Sequence, residues 1–290
     1  IHWREAWKYG ERAFRYCQHD IGHAWAALSI SALMLGWKLK ILNTISDEAI
    51  AKLLGLNRSN DFEMEEKETP VLLAVIVPSN DSSKLDQSLK QESIQEIANG
   101  KWFGKANKLN KEYYPWEIIE MVSIACEKQK SDCDLGKPSP LLFSDTHMVL
   151  VNNVKQERKN TLLASQIIRQ RRSAVQMDGV TSITRAQFYE MLSRVIPMMG
   201  SMLWESIAHR PFIHLILFVH QVVGLIPGLY ALVRDPEKQP LLQTSMHSHF
   251  QWETPLECPQ SLPLFLLEEK EVQNLAASVS CGQDIAGAGS

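Results

Sequence analysis

The chain has 290 residues, enough for one large domain or two small ones with ample core. Hydrophobic residues make up 45% and charged residues 22%, a globular balance that excludes a disordered or fibrous chain. The net charge of −3 excludes a global basic field, so no nucleic-acid partner is expected and the cations near the N-terminus act locally.

Taken in chain order, residues 7–23, WKYGERAFRYCQHDIGH, interleave Lys8, Arg12 and Arg15 with Trp7, Tyr9, Phe14 and Tyr16. Rings stack on flat conjugated groups, while guanidinium forks grip phosphate, so this pattern suits a ligand that is planar at one end and anionic at the other. A phosphorylated flavin has that form. Asp20 as N-cap and Gly36 just past the end predict a helix over about 21–35, apolar on nearly every face and therefore expected inside the protein. WKLKIL at 37–42 reads as a strand with one wet face. Ser46 caps a helix ending near Gly55, and VLLAVIV at 71–77 reads as a central strand. Short helices are expected at about 93–99 and 115–129, followed by a Pro/Gly/Cys-rich break at 131–140 and a polar stretch near 152–160.

The pattern then restarts. Helices are expected at about 161–172 and at 184–196, the latter capped by Thr184, with a strand at 263–267 and a helix at 269–281. Residues 211–233, PFIHLILFVHQVVGLIPGLYALV, read as two buried strands about a Gly/Pro turn, with a transmembrane helix as the alternative. Helices and strands mix without strict alternation, which favours α+β over a doubly wound sheet. The five cysteines are odd in number and form no C-x-x-C pair, so reduced thiols and a cytoplasmic location are expected, with a Cys126–Cys133 pair left open. No cleavable signal peptide is read at the start, no membrane partner is expected, and the chain reads as a piece of something longer. Among the histidines, His214 and His220 read as a core pair. His247-x-His249 lacks a Cys or carboxylate at matching spacing, so no metal is expected. The absence of a Gly-rich phosphate loop, a G-x-S-x-G elbow and an H-E-x-x-H motif removes NTPase, α/β-hydrolase and zincin readings.

KYGERAFRY, then D-x-GHA opening an apolar helix that ends LGW, resembles the C-terminal half of the flavin-dependent nitroreductase superfamily, closest to the SagB-type dehydrogenases that oxidise azoline rings. SDEAIAKLLGLNR and WFGKANKL are similar to that group as well. From Leu162 onward, the RRS element at Arg171, Arg172 and Ser173, then DGVTSITRAQFYEML and GLIPGLYALVRDP, resemble the N-terminal half of a second copy. The resemblance implies an α+β nitroreductase-like fold assembled from parts of two modules, with residues 1–135 in the first, a linker over 136–160, and residues 161–290 in the second. It implies bound FMN, hydride-type redox chemistry on a small-molecule or peptide substrate, and a dimer or intramolecular pseudo-dimer. Lys8 and Tyr9 match the family's proton-handling pair, and Arg171, Arg172 and Ser173 its phosphate grip. Gly22 and His23, placed in the first turn of the buried helix, would offer free N–H groups to the ligand, with Arg12 adding a cation.

Removing hydride from a carbon next to nitrogen calls for a neighbouring base, and a lysine whose pKa is depressed can serve. Arg4, Lys8 and Arg12 at i, i+4 and i+8 would crowd one helical face and depress it. A non-enzymatic alternative, a nitroreductase-like scaffold or peptide-binding module without flavin, rests on Val175 and the Ala26–Ala27 pair, which stand where the family often has flavin contacts.

Overall fold

The computed structural model describes residues 2–58, 60, 66–78, 89–107, 114–129, 162–197, 204, 206–207, 210–280 and 282. The expected linker over 136–160, Cys133, Cys281 and Gln283 lie outside the described residues. The chain divides into two compact units, Ile1–Lys137 with Gly200–His209 and Pro138–Met199 with Arg210–Ser290. The class is mixed, with helices and small sheets in both units, as the α+β reading expected.

In the first unit, α1 (His2–Tyr9) runs through a 3-10 turn at Gly10–Arg12 into α2 (Ala13–Met34). The long helix starts at Ala13, not after Asp20. Nothing between Ala13 and Asp20 breaks a helix, so Asp20 becomes an exposed mid-helix residue and caps nothing. Its end is where the sequence put it, with Gly36 at φ +71° donating its N–H to Leu33 O at 3.1 Å. The expectation that this helix is buried is overturned. Only Trp25, Ser29 and Ala32, an i, i+4, i+7 stripe, together with Ala13, are buried, because among the described residues α1 and the strand that follows cover one side alone. Leu28 is 51% exposed, Met34 50% and Leu35 63%. Trp25 is pinned by its indole N–H donating to Ser206 Oγ at 3.0 Å.

β1 (Trp37–Ile41) pairs antiparallel with β2 (Ala74–Pro78), Lys38 opposite Val77 and Ile41 opposite Ala74. β2 is not central: among the described residues it pairs with β1 only, and β1 is half-buried along most of its length without a clean wet face. α3 (Asp47–Leu54) begins as expected, with Ser46 Oγ accepting from Ala49 N at 3.2 Å, and ends at Gly55, φ +67°. A Cβ at Gly55 would come within 2.9 Å of the Trp102 ring, which itself stacks under the Arg58 guanidinium at 4.8 Å. α4 (Gln91–Ala98) and α5 (Glu117–Ala125) complete the unit. Its core is two small clusters: Trp3, Ala6, Ala13 and Ile119, and Ile45, Ala49, Ile50 and Ile94.

In the second unit, α6 (Ala164–Gln170) buries no residue, and β3 (Ile183–Thr184) leads into α7 (Arg185–Ser193). Thr184 and Gln187 form the capping box there: Thr184 Oγ1 accepts from Gln187 N at 3.3 Å, and Gln187 Oε1 accepts from Thr184 N at 2.9 Å. The 211–233 stretch is strand and turn, with β4 (Leu215–Val219), β5 (Val222–Val223) and β6 (Gly228–Leu232). β4, β6 and β7 (Leu264–Glu269) form an antiparallel sheet in the order β4-β6-β7, while β5 pairs parallel with β3. No helix among the described residues is long and apolar enough to cross a membrane. α8 (Gln239–Ser245) and α9 (Gln273–Val279) flank β7 in sequence. Leu232, Leu264, Tyr230, Val219, Tyr189, Leu192 and Ile196 make one continuous core.

Candidate functional site

The expected site residues fall into both units: Lys8, Tyr9, Arg12, Gly22 and His23 in the first, Arg171, Arg172 and Ser173 in the second. Each group has its own local geometry.

α1 ends at Tyr9 because Gly10 takes φ +58°, and the missing Cβ leaves room for the Trp116 ring, 3.2 Å from where that carbon would sit. This turn presents Lys8 on the surface, its Nζ 5.0 Å from the centroid of the Tyr9 ring, and Tyr9 in turn meets Tyr16 edge-on at 4.6 Å. The expected depression of Lys8 is corrected. Its hydrogen bond to the Tyr9 side chain, supported by Glu5, raises the pKa, so Lys8 holds its proton at neutral pH. The crowding that was to depress it does not arise. Arg4 is paired by Glu66 at 3.2 Å and Glu68 at 3.5 Å and donates to Asn107 O at 2.7 Å, and Gly10 breaks the helical run before Arg12. Arg12 is exposed in the 3-10 turn.

Gly22 and His23 are exposed and lie well inside α2, since the helix begins at Ala13. Their N–H groups therefore belong to the helix ladder and are not the free groups of a first turn. The His23 ring is held by its own helix, Nδ1 lying 2.9 Å from His19 O, and a Cβ at Gly22 would meet nothing within 4 Å.

Arg171 caps α6 through its N–H to Ile167 O at 2.9 Å, then leaves the helix with φ −58° and ψ 142°. The Arg172 guanidinium folds back and donates from Nη1 to Arg169 O at 3.0 Å and Arg171 O at 2.8 Å, at the negative end of the helix dipole. The Arg171 guanidinium and the Ser173 hydroxyl, both exposed, make no hydrogen bond to a described residue.

These residues fit a flavin phosphate in part. Arg171 and Ser173 present a fork and a hydroxyl suited to phosphate oxygens, and Arg172 would have to give up two carbonyls to join them. Gly22 and His23 offer no free N–H and do not fit a ligand at a helix start. Among the described residues, no group of three or more His, Cys, Asp or Glu side chains is placed to hold a metal ion. His247 and His249 stack at 5.4 Å.

Several local contacts were not legible in the sequence. Arg185 pairs with Glu257 and donates to Gly224 O at 3.2 Å. That ion pair helps hold a loop in which Trp252 and Glu257 both take left-handed φ, 56° and 52°. The Tyr189 hydroxyl donates to Leu256 O at 2.8 Å in the same loop, and burial pushes the Cys258 thiol up to about 12, which makes it inert at neutral pH. The spacing between Arg4 and Glu66, or between Arg185 and Glu257, carries no periodic signal that would have pointed to either pair. No family model, no curated protein and no solved structure matches this chain.

Proposed function

We propose that this chain is an FMN-dependent oxidoreductase of the nitroreductase type, built from parts of two nitroreductase-like modules and acting on a small-molecule or peptide substrate. The observation that carries the reading is the Lys8–Tyr9 contact: a protonated ammonium and a phenol hydroxyl joined on the surface, within a segment of interleaved cations and rings. The bound flavin would supply the hydride acceptor.

The raised pKa changes the role assigned to Lys8. A protonated Nζ does not take a proton from the substrate; it would orient an electron-rich substrate atom, and the proton lost alongside the hydride would pass to the solvent that reaches this exposed side chain. The Tyr9 hydroxyl fixes the direction of the ammonium, and the Tyr16 edge fixes the Tyr9 ring. Arg171 and Ser173 are the residues that would grip phosphate, while Gly22 and His23 drop out of the binding set for want of free N–H groups.

An absorbance scan of the purified chain tests the cofactor. Visible flavin bands support the reading, and a colourless protein that takes up no added FMN sinks it. Lys8 is exposed, so Lys8→Ala should fold normally, keep its flavin and lose turnover. Loss of flavin along with activity would move Lys8 into binding.

The scaffold reading is favoured by a different observation. Leu28, Met34 and Leu35 stand exposed along α2, as on a surface that meets another protein. Under that reading the chain is colourless and Lys8→Ala has no catalytic effect.

A further inference from the structure

We propose that Arg169-Gln170-Arg171-Arg172 is a cleavage site for a paired-basic endoprotease, which cuts between Arg172 and Ser173 in the ligand-free chain. Three arginines precede the bond at the first, second and fourth positions. Proteases of this kind recognise such runs with carboxylate-lined subsites, and a guanidinium fork satisfies each one bidentately.

The backbone meets the second requirement, an extended and accessible strand. Arg171 is already extended, residues 171–182 are all exposed, and regular structure resumes only at Ile183. Val175, three residues past the bond, is 93% exposed, so the residues next to the bond stand clear of their unit, and the segment is held to it further on, where Gln221 Nε2 donates to Gly179 O at 2.9 Å. The fourth-position Arg169 lies in the last turn of α6 and must leave it. That helix buries no residue, and the two bonds from Arg172 that hold its end are exposed, so local opening is cheap. The chain's other adjacent basic pair, Arg158-Lys159, has lysine before the bond and glutamine at the fourth position.

The cut is a hydrolysis. Water adds to the Arg172 carbonyl carbon, the C–N bond to Ser173 breaks, and the products are a carboxylate at Arg172 and an amine at Ser173. The second unit's core survives, because every member of its cluster lies between Ile183 and Leu266. Proteases of this class work in the secretory route, and cleavage there would replace the cytoplasmic expectation drawn from the cysteines.

The test incubates the full chain with a recombinant calcium-dependent subtilisin-type proprotein endoprotease and reads the products by mass and N-terminal sequencing. One cut yielding a new N-terminus at Ser173 is expected. Arg172→Ala and Arg169→Ala, both at exposed positions, should each slow it about tenfold or more, since a subsite built for a guanidinium is left unpaired. An intact chain, a first cut elsewhere, or equal cutting of Arg169→Ala overturns the proposal. A second arm adds FMN and rests on the flavin reading, under which the phosphate covers Arg171 and slows the cut. Equal cutting with and without FMN counts against the flavin reading and leaves the cleavage site standing.

Discussion

α2 and the β6–β7 pair are comparably apolar in sequence, and their surroundings treat them in opposite ways. In the strands, Leu232 and Leu264 have no exposed surface, since α7 and the 258–262 loop close over that face of the sheet. In the helix, Leu28 and Leu33 are 51% and 41% exposed, and one narrow stripe with Trp25 at its centre does the packing. An apolar residue contributes to stability only through the area that neighbours remove from water, about 25 cal/mol per Å². Composition sets how much could be buried, and contacts decide how much is.

The largest test of this contrast is Leu264→Ala, which opens a cavity in the sheet core and should cost about 2–5 kcal/mol, read from the urea midpoint of the second unit. A loss under about 1 kcal/mol would mean that the sheet core is loosely packed. Gly228→Ala comes next. A Cβ there would lie 2.3 Å from Glu268 O, a backbone atom that cannot swing aside, so about 1–3 kcal/mol should be lost as β6 separates from β7. Thermal melting followed by far-UV circular dichroism measures it.

Gly22→Ala gives the mirror image in α2. With open space around the position, helix propensity alone acts, and the chain should gain about 0.5–1 kcal/mol in the same melt. Flavin uptake, where present, should not change, and its loss would restore Gly22 to the binding site. Leu33→Gln is the smallest effect. On a solvated face it should shift stability by less than about 0.5 kcal/mol, and a larger penalty would show that another surface covers α2.

Local signals were legible wherever a side chain acts within a few residues of its own backbone. Ser46 and Thr184 start helices where their hydroxyls reach the third N–H beyond, and Gly36 and Gly55 end helices where left-handed backbone is needed. The Gly/Pro turn splits the 211–233 run into antiparallel strands for the same local reason. Asp20 does not mark a helix start because a good cap residue is also tolerated mid-helix, and the true start at Ala13 has no side-chain cap to advertise it. Within the candidate site, the Lys8–Tyr9 pair was legible as neighbours in the chain. The raised pKa of Lys8 comes from Tyr9 and Glu5, also close in the chain, whereas the pairing of Arg4 with Glu66 and Glu68 was not legible, because it depends on where distant segments meet.

By itself, the sequence determined the helix caps, the strand-turn-strand of the second unit, the mixed α+β class and the cations among rings at residues 4–16, because propensity, capping and turn chemistry act over a few bonds. Tertiary structure alone decided that an apolar helix is largely exposed, that Arg4 is paired by Glu66 and Glu68, and that Arg185 is paired by Glu257. Burial, ion pairing and side-chain reach depend on which distant segments arrive at the same place, and no local pattern of residues encodes that.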